Sequence, residues 1–175
     1  MNFELRTIPS KAMKRSEVDE VITLCSYVFQ LDCSYFMNLY ATRVHVLGYV
    51  DGLLVTHALW LNRSLQVGDG PWLNSAYVEG VATHIEYQGL GFGSALMRHL
   101  QTEIAGYDLG ALSPDVPEWY TKLGWERWRG PLRVLHGDQT RPTPSEHVLV
   151  YRTPHSPALD LNAPLTAPWR PSSQW

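Results

Sequence analysis

Hydrophobic and polar positions change period several times along this chain, and each change marks an element. Phe3 to Ile8 reads as a short first strand. Ser16 with Asp19 then makes a capping-box start for a helix. In that helix Val18, Val21, Ile22, Cys25, Val28 and Phe29 recur at three- and four-residue steps and share one buried face, which makes Cys25 a core residue. Ser34 to Ala41, with Tyr35, Phe36, Leu39 and Tyr40, reads as a second short helical piece over the rim of the domain. Val44 to Val50 and Leu53 to Leu61 are β-branched and aromatic runs joined by Asp51-Gly52, a strong hairpin signal. Ala76 to His84 reads as a fourth strand that feeds directly into Glu86-Tyr87-Gln88-Gly89-Leu90-Gly91-Phe92-Gly93, where a helix begins. Phe92, Leu96, Leu100 and Ile104 place a stripe of that helix against the sheet.

Tyr107 to Leu112 is a short apolar strand, and Pro117 suits the first turn of a helix over Glu118 to Leu123 that Gly124 ends. Trp125 to Leu135 and His147 to Tyr151 read as a closing pair of strands around a polar, Pro-rich loop. From about Thr153 to Trp175 the composition turns to Pro, Ser and isolated Leu and Trp, an irregular tail. No internal repeat interrupts this order. It predicts an α+β fold with a mixed, mostly antiparallel sheet flanked by helices.

Composition narrows the picture. A chain of 175 residues, 45% hydrophobic, fits a single domain over residues 1–175. A net charge of -3 and a pI near 6.1 offer no basic field for nucleic acid and suit a cationic partner better. Two cysteines, Cys25 and Cys33, form no CxxC pair and no disulfide framework, so a reducing compartment, the cytoplasm, is expected. No apolar signal core follows Met1 and no run approaches the roughly 20 apolar residues that span a bilayer, so no membrane partner is expected. The seven histidines show no metal-ligand spacing, and none is expected to hold a metal. His45, His57 and His84 fall in strands and read as half-exposed polar residues. Cys33 has no His or acid paired with it by sequence and is not read as a nucleophile.

Three glycines, Gly89, Gly91 and Gly93, stand at the start of an otherwise good helix, each at a cost of roughly 0.5 to 1 kcal/mol relative to Ala. Free N–H groups of a first helical turn, unencumbered by β-carbons, can surround a phosphate, and the helix dipole adds attraction for negative charge. A tight strand-to-helix connection would use the same glycines. A P-loop is excluded because no Gly-Lys is followed by Ser or Thr, and a dinucleotide fold would need its G-x-G-x-x-G after an early strand. The pattern here is Q-x-x-G-x-G, Gln88 to Gly93, after the fourth strand.

That turn, in that place, resembles the acetyl-coenzyme A site of the GNAT superfamily. The resemblance implies a GNAT fold with the acetyl donor at the splay between the fourth and fifth strands. It implies that main-chain amides of Gln88, Gly89, Leu90, Gly91, Phe92 and Gly93 hold the pyrophosphate, and that Val81, Ala82 and Thr83 pair with the pantetheine arm. A narrower likeness follows. Tyr77-Val78-Glu79-Gly80-Val81-Ala82 is similar to the V-E-G-V-A strand of the aminoglycoside 2′-N-acetyltransferases. The likeness continues at Leu109 to Ser113, at Tyr120 with Gly124-Trp125, and at Gly130-Pro131 before Val134-Leu135. Trp169-Arg170, four residues and Trp175 match that family's terminus, whereas the first 70 residues match weakly.

The resemblance implies direct transfer of an acetyl group from acetyl-coenzyme A to the 2′-amino group of an aminoglycoside, an antibiotic-resistance activity; transfer to another small amine or a protein amine, and a non-catalytic module that binds coenzyme A or an aminoglycoside, are the alternatives. Glu79 is the expected acceptor of the amine proton, through water, and Tyr120 the expected general acid facing the coenzyme sulfur. Read without the family, Glu79 is a surface carboxylate and Tyr120 a core aromatic near Trp119, Trp125 and Trp128. Asp32, Glu79, the Gly80 backbone, Ser113, Glu146 and Trp175 are the expected contacts to a cationic aminosugar, with the tail folding back toward the site. The family also allows a homodimer. The chain departs from the family pattern where an acidic cluster is reduced to Asp32 beside Cys33, where Ser173 replaces an acid, and between Ser113 and Tyr120, where the chain is shorter and contains Pro114 and Pro117.

Overall fold

The computed structural model describes residues 2–34, 42–171 and 175. The expected helical piece with Tyr35, Phe36, Leu39 and Tyr40, and also Ser173, lie outside the described residues. Contacts divide the chain into two compact units, Met1–Leu61 with Val78–Thr102, and Asn62–Tyr77 with Glu103–Trp175.

In the first unit, β1 (Phe3–Pro9) pairs antiparallel with β2 (Arg43–Val50), Phe3 opposite Val50. β2 in turn pairs antiparallel with β3 (Leu53–Val67), whose later residues belong to the second unit. The Asp51-Gly52 turn closes this hairpin as its sequence requires, both residues taking positive φ, 48° and 86°. The register shifts between Gly48 and Tyr49, and the position needs glycine because a β-carbon on Gly48 would lie 2.4 Å from Thr56 Cγ2.

Helix α1 spans Arg15–Phe29, one residue ahead of the expected start. Its reciprocal acid is Glu17, three residues after Lys14, rather than Asp19. The Glu17 carboxylate accepts the Lys14 N–H at 2.7 Å and pairs with Arg6, and the Arg6 bond, then the Lys14 amide, hold its pKa below the usual range. Asp19 instead pairs with Arg15 one turn back at 3.1 Å. The buried face centres on Val21, Leu24 and Cys25, which pack with Cys33, Leu47 and Leu54. Phe29, expected on that face, is exposed, because the helix ends there and Gln30 turns left-handed with φ 55°.

β4 (Trp72–Thr83) leads through a 3-10 turn at Ile85–Tyr87 into α2 (Phe92–Glu103). Leu96 and Leu100 of α2 and the following Ile104 are fully buried, as the four-residue spacing predicts; Met97 joins them, and Phe92 is half-buried.

In the second unit, β5 (Leu109–Leu112) runs parallel to β4, Ser75 opposite Leu109 and Tyr77 opposite Ala111. Helix α3 (Pro117–Thr121) follows, with proline in its first turn and Gly124 beyond it at φ 88°. Trp125 to Leu135 is not one strand. It is cut into β6 (Glu126–Arg127) and β7 (Leu132–His136), with Gly130-Pro131 between them. β6 pairs with β9 (Leu149–Tyr151), and β9 with β5; β7 pairs with β8 (Gln139–Pro142). At the interruption the Arg129 and Gly130 amides donate to Leu161 O, both at 2.9 Å, and only glycine fits there, since a β-carbon on Gly130 would fall 1.9 Å from the Ala163 carbonyl oxygen.

The tail is more regular than its composition suggests. It contains β10 (Leu165–Pro168), parallel to β7 and antiparallel to the end of β3. Thr153 and Ser156 hydroxyls donate to the Tyr107 and Asp108 carbonyls at 2.5 and 2.7 Å, and Trp128 Nε1 donates to Ala163 O at 2.9 Å. Trp175 is buried, its Nε1 donating to Thr143 Oγ1 at 2.8 Å and its ring beneath Arg63 at 5.4 Å. Arg63 and Arg170 also lie over the Tyr77 ring, at 4.7 and 5.2 Å from its centroid. Among the described residues no helix is long and apolar enough to cross a membrane.

Candidate active site

The first unit carries Glu79 to Thr83 at the end of β4, past the β5 register, which closes at Tyr77. Gly80 adopts φ 60° inside the strand, a left-handed kink that glycine tolerates and that marks a bulge. A buried side chain meets its carbonyl: His57 Nδ1 donates to Gly80 O at 2.8 Å, with Cys25 Sγ 3.6 Å from the same nitrogen. His57 Nε2 lies 3.0 Å from His45 Nδ1, and His45 Nε2 lies 2.9 Å from Ser10 Oγ. Thr56 holds the next carbonyl but one, donating to Ala82 O at 3.0 Å, with Thr83 Oγ1 2.9 Å away.

Both histidines are fully buried, which corrects the expectation that His45 and His57 are half-exposed. Burial is tolerated because the chain of bonds satisfies the ring nitrogens internally. The available signal was that His57 shares a strand face with the apolar Val55 and Leu59.

Burial, then the neighbouring His57 and Arg43 charges, bring His45 down to about 3. Burial also brings His57 down to about 4, with the Gly80 carbonyl opposing and Arg43 assisting. Both rings are neutral in the folded chain, whereas the unfolded chain protonates them near pH 6.5. Between pH 6.5 and about 4 the unfolded state therefore binds more protons, so stability is complete above 6.5 and falls as the pH drops through this window. The expected slope is about 1.4 kcal/mol per pH unit for each ring. Urea unfolding at pH 7.5, 6.5 and 5.5 checks this; a flat profile would show that the rings charge freely in the fold.

The glycine turn follows. Gly89 and Gly91 have φ 76° and 90°, and nothing lies within 4 Å of where a β-carbon would stand on either. Gln88, Gly89, Leu90 and Gly91 are exposed. The Gln88 side chain donates to Thr83 O at 3.0 Å, tying the turn to the end of β4. Gly91 O accepts from Ala95 N at 2.9 Å, so the preceding amides of Phe92, Gly93 and Ser94 are those for which a helix offers no acceptor of its own. Open space beside two positive-φ glycines at the start of a twelve-residue helix fits a diphosphate. Asp32, also in this unit, is exposed. Its carboxylate accepts the Ser34 amide at 2.8 Å, and bonds from Ser34 keep it below the usual pKa.

The second unit carries the remaining candidates. Tyr120 is buried in α3, its ring edge-on to Trp119 at 4.7 Å and to Trp125 at 6.3 Å. Burial, with a smaller contribution from the Asp115 carboxylate, raises its phenol pKa well above the ordinary value, so the hydroxyl keeps its proton. Ser113 is exposed just past β5. Glu146 is half-buried on the wall of a cavity of about 340 Å³ shared with Trp128, Thr143 and His147. Thr143 is also the acceptor for Trp175. The structure thus groups Glu79 to Thr83 with Gln88 to Gly93 in one unit, and Glu146 with Trp175, through Thr143, in the other.

Residues 10–128 match the family described as acetyltransferase (GNAT) domain. An aminoglycoside 2′-N-acetyltransferase of Mycolicibacterium fortuitum is 34% identical over 131 residues, 71% of this chain and 67% of that protein. Among solved structures, the Escherichia coli GNAT family N-acetyltransferase YhbS in complex with CoA aligns with a TM-score of 0.64 at 15% identity, over 97% of this chain and 92% of that one. Eis1 from Mycobacterium abscessus aligns with a TM-score of 0.62 at 20% identity over 74% of this chain, which spans only 32% of Eis1. These two structures share its fold. The chain belongs to the GNAT acetyltransferase family, and its expected mixed sheet with flanking helices is the GNAT fold.

Proposed function

We propose that this acetyltransferase, acting as one catalytic domain over residues 1–175, transfers the acetyl group of acetyl-coenzyme A to the 2′-amino group of an aminoglycoside. The observation that carries the donor side is the open turn at Gly89 and Gly91, with positive φ at both residues. The amine side is supported by the Mycolicibacterium relative and by the V-E-G-V-A segment from Val78 to Ala82.

Acetyl-coenzyme A supplies the activated acetyl thioester. Amides of Gln88 to Gly93 bind its diphosphate, and the backbone of Val81 to Thr83 aligns its pantetheine arm. Glu79, through water, takes the proton from the attacking amine. Tyr120, whose raised pKa keeps it protonated, donates a hydrogen bond to the departing sulfur and stabilises its charge. Asp32, Ser113, Glu146 and Trp175 with Glu79 and Gly80 receive the ammonium and hydroxyl groups of the aminosugar. A second reading, transfer to a smaller amine, is favoured by the reduction of the family's acidic cluster to Asp32, which leaves few charges for a polycation.

Free-thiol release from acetyl-coenzyme A, with aminoglycosides that carry or lack a 2′-amino group, tests the proposal. Turnover restricted to 2′-amino compounds is expected. Turnover only on smaller amines would replace it with the second reading, and coenzyme binding without turnover on any amine would leave a binding module.

A further inference from the structure

Ser10, His45 and His57 take no part in the chemistry above, yet they converge on one atom beside it. A carbonyl oxygen only accepts, so the His57 nitrogen 2.8 Å from Gly80 O carries the proton. In a neutral ring His57 Nε2 is then an acceptor, which requires the proton of the 3.0 Å contact to sit on His45 Nδ1. His45 Nε2 is then left as an acceptor for the Ser10 hydroxyl at 2.9 Å, a proton for which the Arg43 carbonyl at 3.2 Å competes. One carbonyl thus fixes the tautomer of both rings, and the chain of bonds reaches from the half-buried Ser10 to the bulge of β4. An ordinary strand position needs no such anchor. A bulge does, because its extra residue leaves the ladder and its carbonyl must find another donor.

We propose that Ser10, His45 and His57 form a positioning chain that holds the Gly80 carbonyl and so fixes the kink aiming Glu79 and Val81 at the reactants. It touches neither reactant. The proposal rests on the reading of Glu79 as the proton acceptor, since a displaced carboxylate matters only if it handles the amine proton. The glycine turn that takes the diphosphate does not include the kink, so coenzyme binding loses only what the pantetheine arm draws from Val81, while turnover loses the placing of Glu79.

Two substitutions separate positioning from packing. His57→Leu fills the space but removes the donor; His57→Asn keeps a side-chain N–H. A buried amide is less stable than leucine in an apolar core, so packing alone ranks leucine above asparagine. Positioning ranks them the other way. In the thiol-release assay, kcat of His57→Leu is expected to fall about 10- to 100-fold, the scale of a 1 Å misplacement. On the same reasoning His57→Asn stays within about threefold of the unsubstituted enzyme, and the coenzyme A Kd of both variants, read by calorimetry, moves less than about threefold. An unchanged kcat in His57→Leu, or a fall in His57→Asn as large as that in His57→Leu, overturns the proposal.

The hydrogen bond is also read without substrate. Ring-nitrogen NMR of the full chain is expected to show His57 protonated at Nδ1, and the Val81 amide to lose exchange protection in His57→Leu but keep it in His57→Asn. Protonation at Nε2, or equal Val81 protection in both variants, overturns the proposal even if no aminoglycoside is acetylated. Absence of turnover with these NMR results intact counts against the aminoglycoside reading alone.

Discussion

Replacing Tyr120 by Phe is expected to lower kcat about a hundredfold while coenzyme A binding stays within about threefold. The phenylalanine keeps the edge-on packing against Trp119 and Trp125, so the change is confined to one hydroxyl. The physical reason is the raised pKa of Tyr120. In the proposed role, a phenol this reluctant to ionise keeps its proton and would hold a hydrogen bond to the sulfur as charge builds there, an interaction gained in the transition state. A loss in kcat with little change in KM is the signature of such a group. Stopped-flow thiol release and calorimetry with coenzyme A measure the two quantities. Equal turnover in the variant would return Tyr120 to the role of a core aromatic.

Gly91→Val is expected to weaken coenzyme A binding at least tenfold, with little change in the melting of the rest of the chain. Two effects combine. At φ 90° a β-branched residue is strained, at about 1 to 3 kcal/mol, which the turn relieves by moving. Its side chain would also enter the open space beside Gly91, where nothing now lies within 4 Å. Calorimetric titration with coenzyme A reads the affinity directly. Undiminished binding would mean that the diphosphate is held elsewhere.

Much of this fold was legible because local chemistry dictated it. Asp51-Gly52 closed its hairpin with two positive φ angles, and the Leu96 and Leu100 spacing buried the expected face of α2. The turn from Gln88 to Gly93 stood out because three glycines at a helix start are costly and demand a reason. What escaped notice depends on contacts between residues remote in sequence. The apolar run is split at Gly130 where the Arg129 and Gly130 amides turn to the Leu161 carbonyl, and no window around residue 130 contains that fact. The tail gains a strand because β7 offers it a parallel edge from Leu132 to Leu135. His45 and His57 read as half-exposed because histidine is polar; the Gly80 carbonyl, remote in sequence, supplies the partner that lets two imidazoles lie in a core. For Glu17 the miss was one of register, the acid that caps α1 lying two residues before the expected one.

The two cysteines bear on how catalysis by this protein is measured. Cys25 is sealed on the buried face of α1, and burial raises its thiol to about 12; Cys33 is also buried and its pKa is shifted upward by the same cause. Neither forms an appreciable thiolate near neutral pH, the form that attacks chromogenic disulfides and alkylating reagents. Colour developed by such a reagent during turnover therefore counts released coenzyme alone, and colour that grows in denaturant without substrate reports opening of the core around α1.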